Sequence, residues 1–283
     1  MSITTDLIWF PPCRAESGAA PEINPGATTL FCLPHAGAGA SVYRDWAPLL
    51  APEIDVVPVQ LPGREGRHKE PLRRSVFQLA EELIDPLASR AGPDFALFGH
   101  SVGALLGYEL ARGLAARGQP PRHLFVSGLP APQLGPARRD SHLLPDLELL
   151  VLMQELEDTS PEVLAIPDLV QLLLPVMRAD LEVCETYHHP HESALGVPIT
   201  ALGGQRDPCA SVGGLQAWQH VTTADFDAEF FPGGHFYLHS LREEVIAAVW
   251  ARLSGPPAWP GDGSRLPQDL QFSVSSLTTM EES

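Results

Sequence analysis

Short apolar segments alternate with amphipathic segments along most of this chain of 283 residues. The short segments are rich in β-formers and end at Pro or Gly, whereas the longer ones carry apolar residues three or four positions apart. The predicted strands are 28–33, 56–61, 95–98, 123–126, 199–202 and 229–231, and the predicted helices are 75–90, 102–117, 215–220 and 241–253. This alternation predicts an α/β fold, with a mainly parallel central sheet and helices on both of its faces.

Residues 140–190 interrupt the alternation and predict a helical insertion, with helices near 145–156 and 168–185. The run Leu149–Met153 is apolar throughout and therefore wider than the single stripe of a surface helix. Such a helix is either an ordinary core helix or a lid whose second apolar side lines a cavity. The candidates for a cavity wall are Leu149, Leu152, Met153, Leu173 and Met177.

The domain organisation follows from the same pattern. We expect a single domain over residues 1–254, with its core at about 28–139 and 191–254 and its lid at about 140–190. Residues 255–283 are rich in Pro, Gly, Ser and Thr, a composition that predicts a loosely ordered tail.

Charge and cysteine usage narrow the classes of function. The 35 acidic and 18 basic residues give a net charge of -17, so the surface as a whole repels nucleic acid and anionic membranes. No run approaches the roughly 20 apolar residues of a membrane span, and the first residues do not resemble a signal peptide, so we expect a cytoplasmic protein. The four cysteines are too widely spaced to suggest a zinc site or a disulfide framework.

The sequence Gly99-His100-Ser101-Val102-Gly103 lies between a predicted strand and a predicted helix. In this context a G-x-S-x-G pattern indicates a sharp turn that lifts the serine hydroxyl above the sheet. The start of the following helix supplies free N–H groups near that hydroxyl. We therefore predict Ser101 to be a catalytic nucleophile.

A serine nucleophile needs a histidine base, which follows the nucleophile and the acid in the chain order of this fold. Among the late histidines, His235 comes directly after the predicted strand 229–231 and is our choice. His220 and His239 are the alternatives, and His239 is the weaker candidate because a position inside a helix is less mobile and less exposed.

The acid that orients the base is predicted to be Asp207, which follows the strand 199–202 at the carboxyl edge of the sheet. Asp225 and Asp227 are alternatives, but they precede or begin a strand and are better interpreted as turn residues at the opposite edge. Asp207 precedes a proline, so it can also cap a helix, and the two roles are compatible.

Stabilising an oxyanion takes two backbone donors, one after the nucleophile and one from a loop after an earlier strand. The small residues of the segment 34–40 suit that loop, and the predicted donors are the N–H groups of Ala36 and Val102. A phosphate-binding loop is the alternative, but neither G-x-G-x-x-G nor a G-K-[ST] ending is present. The histidines at 188, 189 and 191 match no metal-binding spacing, and we interpret them as a solvated turn; no metal is predicted.

Several motifs together resemble one known family, the type II thioesterases that accompany modular polyketide synthases and nonribosomal peptide synthetases. They are LFCLPHAG (30–37), QLPGR (60–64), GHSVGA (99–104), LLLPVMRAD (172–180), ETY (185–187), GGQRDP (203–208) and GGHFYL (233–238). The family usually has Gly at the position of Ala38 and Met or Leu at that of Val102, but both residues keep their backbone donors.

This resemblance, which covers residues 28–253, implies an α/β-hydrolase fold with Ser101 as nucleophile, His235 as base and Asp207 as acid. It implies a helical lid at 140–190 and the hydrolysis of acyl groups from the phosphopantetheine arms of acyl or peptidyl carrier proteins. The substrate carries the phosphopantetheine, so no cofactor of the enzyme's own is expected. The residues alone indicate a serine hydrolase. Two other hypotheses therefore remain. The protein is a carboxylesterase or lipase, or it is a catalytically silent carrier-binding subunit.

Carrier proteins of such systems are typically acidic, and this chain is acidic as well, so docking requires a local basic patch. The eleven residues 64–74, which follow the strand 56–61, include five basic ones and should lie near the carboxyl edge of the sheet. A solvated loop is the alternative interpretation. The docking candidates are Arg64, Arg67, Lys69, Arg73 and Arg74.

Overall fold

The computed structural model describes residues 8–12, 26–136, 138–156 and 166–254. Its centre is a sheet of six strands in the order β2-β1-β3-β4-β5-β6, and every neighbouring pair is parallel. The predicted mainly parallel sheet is therefore confirmed. The strands are β1 (Thr28–Leu33), β2 (Ile54–Pro58), β3 (Phe95–His100), β4 (His123–Ser127), β5 (Ile199–Gly204) and β6 (Phe226–Phe231).

Strands β3, β4 and β5 each end one or two residues later than predicted, and β2 and β6 differ more from their predicted bounds. Strand β2 ends at Pro58 rather than at residue 61, because the chain then leaves the ladder and Gln60 donates its N–H to the carbonyl oxygen of Trp9 at 2.8 Å. Strand β6 begins at Phe226, three residues before the predicted start. It is an edge strand and only Phe231 in it is fully buried, so its first half lacks the apolar run that marks a central strand.

Eight α-helices are described in these residues. They are α1 (Ala47–Leu50), α2 (Val76–Arg90), α3 (Val102–Ala116), α4 (Asp146–Glu155), α5 (Pro167–Glu185), α6 (Val212–Gln216), α7 (Tyr237–Ser240) and α8 (Arg242–Ser254). The predicted helix at 215–220 is wrong in its bounds. Helix α6 starts earlier because Ser211 Oγ accepts the N–H of Gly214 at 3.1 Å, and the chain then tightens into a 3-10 helix, Ala217–Val221.

Helices cover both faces of the sheet. Successive residues of β1 point to opposite sides, so Phe31 and Leu33 join one apolar cluster while Leu30 and Cys32 join another. The first cluster includes residues of α2 and α3, and the second includes residues of α1, α7 and α8. Burial on both faces explains why the strand sequences are apolar throughout. None of the described helices is long and apolar enough to cross a membrane.

The segment between β4 and β5 contains helices α4 and α5, in agreement with the predicted helical insertion. Their facing sides form a separate apolar cluster of Leu149, Leu152, Met153, Leu174 and Met177. Helix α5 also contacts α3 and the 3-10 turn Ser141–Leu143. The predicted domain bounds stay a prediction, and the predicted tail at 255–283 lies outside the described residues.

Candidate active site

Ser101 lies at the tip of a tight turn between β3 and α3. Its backbone angles, φ 55° and ψ -121°, fall in a region that non-glycine residues rarely adopt. Gly99 and Gly103 make the turn possible, because a Cβ on Gly99 would overlap the Gly103 carbonyl group, and one on Gly103 would overlap the Leu33 carbonyl oxygen. The Ser101 N–H donates to the carbonyl oxygen of Ser127 at 2.8 Å, which ties the turn to the end of β4. Such a strained backbone at the serine is expected of a G-x-S-x-G turn that carries a nucleophile.

His235 and Asp207 form a buried pair. His235 Nδ1 lies 2.8 Å from Asp207 Oδ2, while Asp207 Oδ1 accepts the N–H of Cys209 at 2.7 Å. Both oxygens of the carboxylate are thus held, and a buried charge of this kind needs such partners. The contacts place the two predicted residues together at the carboxyl edge of the sheet, where β5 and β6 end.

Two backbone hydrogen bonds connect the loops that carry this pair. The N–H of Gln205 donates to Phe231 O at 2.8 Å, and the N–H of Arg206 donates to Gly233 O at 2.9 Å. The turn after β5 is therefore fastened to the turn after β6. These bonds hold the turn with the acid beside the turn with the base.

The alternatives to these residues occupy other positions. Asp225 and Asp227 are exposed at the start of β6, at the opposite edge of the sheet, and Asp227 forms an ion pair with Arg252. His239 is exposed and stacks on Phe236 with ring centroids 5.4 Å apart. The helix-capping role considered for Asp207 is wrong, because α6 begins only at Val212, after Ser211.

The loop that follows β1 makes a turn in which the Ala38 N–H donates to His35 O at 3.2 Å. Gly37 adopts φ +78°, a conformation that favours glycine. Within the described residues, no hydrogen-bond acceptor engages the N–H groups of Ala36 or Val102. Ala36 and Ser101 line the same cavity. That the N–H groups of Ala36 and Val102 bind an oxyanion stays a prediction.

A cavity of about 120 Å³ lies beside Ser101. Its wall is mostly apolar, and its two acidic side chains both have partners within the protein: Asp180 pairs with Arg64, and Glu185 accepts the N–H groups of Ser141 and His142. The apolar part of the wall comes mainly from the loop after β4 and from the two lid helices. It includes Leu105, Leu129, Pro130, Pro132, Leu152, Leu156, Leu181, Cys184 and Tyr187.

Of the five residues predicted to line an acyl cavity, the structure places only Leu152 on this wall. Leu149 and Met153 instead pack between α4 and α5. Leu173 and Met177 lie over Gly37, since a Cβ on Gly37 would be 3.4 Å from Leu173 Cδ1 and 2.9 Å from Met177 Cε. The sequence reveals the apolar width of the lid, but which side faces the cavity depends on how its helices sit on the rest of the fold.

Arg64 and Arg67 are buried, so the prediction that they form an exposed docking patch is wrong. Arg64 makes a two-point ion pair with Asp180 of α5, at 2.5 and 2.9 Å. The Arg67 guanidinium lies 4.0 Å from the centre of the Trp9 ring and pairs with Glu70 at 2.6 Å. Both guanidinium groups are thus occupied within the protein.

The other three basic residues of this segment differ in exposure. Arg73 is half-buried and paired with Glu82 at 2.6 Å. Arg74 is exposed and paired with Glu182 of the lid helix α5, and Lys69 is exposed. Lys69 and Arg74 are therefore the members of the predicted patch that present charge to solvent.

Two further histidines surround the acid–base pair, and sequence reasoning did not identify them. The His100 ring centre lies 4.8 Å from that of His235, and His100 Nδ1 is 2.8 Å from Ser127 Oγ. Burial keeps the pKa of His100 well below its usual range and lowers that of His35 to about 3. Both rings are neutral near pH 7, so neither repels a positive charge that forms on His235.

The histidines at 188–191 contact the protein itself. His189 Nε2 is 3.0 Å from the hydroxyl of Tyr108, and His191 Nε2 is 3.0 Å from Glu109. The described residues also bring potential metal ligands of Asp207, Cys209 and His235 within 4.8 Å of one another. Asp207 and His235 are already hydrogen-bonded to each other.

Most of this chain is similar in sequence to known thioesterases. A family model described as a thioesterase domain matches residues 28–253. Gramicidin S biosynthesis protein GrsT of Aneurinibacillus migulanus is 38% identical, over 87% of this chain and 93% of GrsT. The thioesterase PikA5 of Streptomyces venezuelae is also 38% identical, over 77% of this chain and 78% of its own. The structure of the type II thioesterase BorB from the borrelidin biosynthetic cluster superimposes with a TM-score of 0.79 at 36% identity, covering 87% of this chain and 98% of BorB.

Proposed function

Because the chain belongs to the thioesterase family, we propose that it hydrolyses acyl thioesters held on the phosphopantetheine arms of acyl or peptidyl carrier proteins. The reaction removes aberrant or stalled acyl groups during polyketide or nonribosomal peptide assembly. The names of GrsT, PikA5 and BorB support this setting. The observation that carries the chemistry is the strained turn at Ser101, which borders an apolar cavity on the sheet edge that also holds the His235–Asp207 pair.

In the proposed reaction, Ser101 Oγ attacks the thioester carbonyl carbon while His235 Nε2 takes the hydroxyl proton. Asp207 accepts the Nδ1–H of His235 and stabilises the imidazolium that forms. The N–H groups of Ala36 and Val102 bind the oxyanion of the tetrahedral intermediate. The C–S bond then breaks, the thiolate receives the proton from His235, and an acyl-serine remains.

Water completes the cycle. His235 takes a proton from a water molecule that attacks the acyl-serine, and it returns this proton to Ser101 Oγ as the acid leaves. The neutral rings of His35 and His100 favour both half-reactions, because each half-reaction places positive charge on His235. No cofactor takes part in this scheme.

The cavity supports an acyl rather than a strongly polar substrate. Leu152, Leu156 and Leu181 contribute apolar wall from the lid, and Leu105 contributes it from α3. Burial of an acyl chain against such side chains yields roughly 0.8 kcal/mol for each methylene group. Longer acyl groups therefore bind more tightly, up to the length that the cavity holds.

The test is a comparison of acyl-pantetheine thioesters with the matched oxygen esters, following the release of the thiol or the alcohol. We expect faster turnover of the thioesters and a covalent acyl adduct on Ser101, detected by mass spectrometry after rapid quenching. The matched control is Ser101→Ala, which cannot form the adduct.

Two other results of these assays would support the carboxylesterase and the carrier-binding hypotheses instead. Turnover of the oxygen esters at an equal or higher rate would make the protein a carboxylesterase. Binding of acyl-carrier protein without turnover of any ester would make it a silent carrier-binding subunit.

A further inference from the structure

A carboxylate from the lid helix α5 reaches into the loop that follows β1. Asp180 is 1% exposed, and its Oδ2 accepts the backbone N–H of Gly37 at 2.8 Å. The same carboxylate receives two hydrogen bonds from Arg64, whose Nη1 also donates to the carbonyl oxygen of Ala38 at 3.2 Å. One buried ion pair therefore holds two polar groups of the residues that follow Ala36.

Hydrogen bonds hold both ends of this loop as well. The Ala40 N–H donates to Gln60 Oε1 at 3.1 Å, and the hydroxyl of Tyr43 donates to the carbonyl oxygen of Leu33 at 2.8 Å. Leu33 and Ala40 thus secure the two ends of the loop. Between them, the ion pair secures its middle.

This arrangement orients the Ala36 N–H. In a trans peptide the N–H points opposite to the carbonyl group of the preceding residue. The carbonyl group of His35 is turned towards the Ala38 N–H, which it accepts at 3.2 Å, so the Ala36 N–H faces the other way. Its direction is maintained as long as Gly37 and Ala38 stay in place, and Asp180 and Arg64 hold both of them.

The lid also packs directly against this turn. Met177, one helical turn before Asp180, leaves so little room over Gly37 that a Cβ there would lie 2.9 Å from Met177 Cε. Buried ion pairs often add little stability compared with apolar residues of the same volume. A charged hydrogen bond to the Gly37 N–H is, however, stronger and more directional than a neutral one, which suits a role in geometry.

We propose that Arg64 and Asp180 are positioning residues that hold the Ala36 N–H in the oxyanion-binding orientation, and that they make the position of lid helix α5 part of the catalytic geometry. This inference rests on the proposed function. Neither side chain touches the reacting atoms. They affect the rate by fixing the conformation of the loop after β1, which carries the Ala36 N–H.

The principal variants are Asp180→Asn, which keeps the shape but loses the charge, and Arg64→Lys, which keeps the charge but loses the two-point contact. For Asp180→Asn we expect kcat on acyl-pantetheine to fall by about 10- to 100-fold, less than the 100- to 1,000-fold typical of deleting an oxyanion donor. The KM should change by less than about threefold, since Asp180 is 1% exposed and Asn keeps its shape in the cavity wall. Arg64→Lys should give an intermediate loss.

Two ligands distinguish a positioning role from a general structural defect. A trifluoromethyl ketone analogue forms a tetrahedral oxyanion adduct with the serine, whereas an unreactive thioether analogue does not. In Asp180→Asn the affinity for the ketone should fall by the same factor as kcat/KM, and the affinity for the thioether should stay unchanged. The matched control is Glu182→Gln on the same helix, which breaks the ion pair with Arg74 and should change neither ligand's affinity.

The inference and the proposed function fail in different ways. A wild-type protein without activity on any acyl-pantetheine would overturn the proposed function. An active wild type together with a folded Asp180→Asn variant of normal kcat would overturn the positioning role alone, as would an equal loss of affinity for both ligands. If Asp180→Asn does not fold, the milder Arg64→Lys variant provides the same comparison, and an unchanged kcat there also overturns the positioning role.

Discussion

His235 Nδ1 lies 2.8 Å from Oδ2 of Asp207, and the side chain of Asp207 has no solvent exposure. Because a carboxylate only accepts hydrogen bonds, this contact requires the proton of the neutral ring to be on Nδ1. The Nε2 lone pair then remains available to take a proton from Ser101. One buried contact thus selects the tautomer that the proposed reaction needs.

The three proposed catalytic residues should behave as one unit. Ser101→Ala and His235→Ala should each lower turnover of an acyl-pantetheine on the order of 10⁶-fold, and Asp207→Asn about 10⁴-fold because it favours the wrong tautomer. The double variant Ser101→Ala/His235→Ala should be no slower than either single one. Thiol release, measured with a background-subtracted assay, checks this. A Ser101→Ala enzyme with near wild-type turnover would show that another residue is the nucleophile.

The cavity wall should set the preferred acyl length. Leu152→Phe and Leu181→Phe add volume to the wall beside Ser101, so kcat/KM for the longest accepted acyl group should fall by about tenfold or more, while short groups are unaffected. The measurement is kcat/KM across a series of straight-chain acyl-pantetheines. Leu147→Phe is the matched control, because Leu147 is on α4 but 78% exposed. An unchanged length profile in both wall variants, with folding intact, would exclude this cavity as the acyl site.

The fold and the candidate catalytic residues could be predicted because their signals are local. Ser101, Asp207 and His235 each follow a strand within a few residues, and parallel strands bring such positions to one edge. The burial of Arg64 in an ion pair could not be predicted from such local signals. Its partner Asp180 lies 116 residues further along the chain. A charged residue is expected on the surface, and only the packing of α5 against the loop after β1 makes burial favourable.

For the lid, local spacing predicts the bounds of the helices but not which of their sides faces the cavity. Helices at 145–156 and 168–185 follow from local spacing and agree with α4 and α5 to within a residue or so at each end. Which of their apolar residues face the cavity depends on the contact of Leu149 and Met153 with α5. That contact is tertiary, and the spacing of apolar residues along one helix does not specify it.

Stability should decrease in mild acid. Burial lowers the pKa of His35 from its ordinary 6.5 to about 3 and that of His123 to about 4. Between these values and pH 6.5 the unfolded chain binds more protons than the folded chain. The contribution of these histidines to the free energy of unfolding is therefore fully present above pH 6.5 and decreases as the pH drops. His35 alone should contribute a slope approaching about 1.4 kcal/mol per pH unit below pH 6.

Urea unfolding at pH 7.5, 6.5, 5.5 and 5.0 measures this slope. In His35→Gln the slope should be shallower, because a titrating group has been removed, whereas His188→Gln changes an exposed histidine and should leave it as in the wild type. Equal slopes in the wild type and His35→Gln would mean that His35 does not contribute.

The close approach of α3 to β1 should make Gly103 intolerant of a side chain. Gly103→Ala would drive a Cβ into the carbonyl oxygen of Leu33, which is backbone and cannot rotate away, so we expect a loss of about 3 kcal/mol or more in the free energy of unfolding. Gly213→Ala is the control, since no atom lies within 4 Å of its added Cβ and α6 should gain up to about 1 kcal/mol. Urea denaturation compares the two, and similar midpoints would contradict the packing argument.

The charges left exposed beside the candidate site should matter for a carrier-borne substrate and not for a small one. Lys69 and Arg74 present positive charge on an otherwise acidic protein, near the carboxyl edge of the sheet. Lys69→Glu/Arg74→Glu should raise KM for an acyl-carrier protein by about tenfold at low salt, and the difference should shrink at higher ionic strength, while kcat/KM for acyl-pantetheine stays within about twofold. Arg117→Glu/Arg122→Glu is the control, because it makes the same change in charge at the end of α3 and beside the start of β4, at the opposite edge. An equal rise of KM in both double variants would indicate a general effect of net charge, and no rise in either would place carrier docking on another surface.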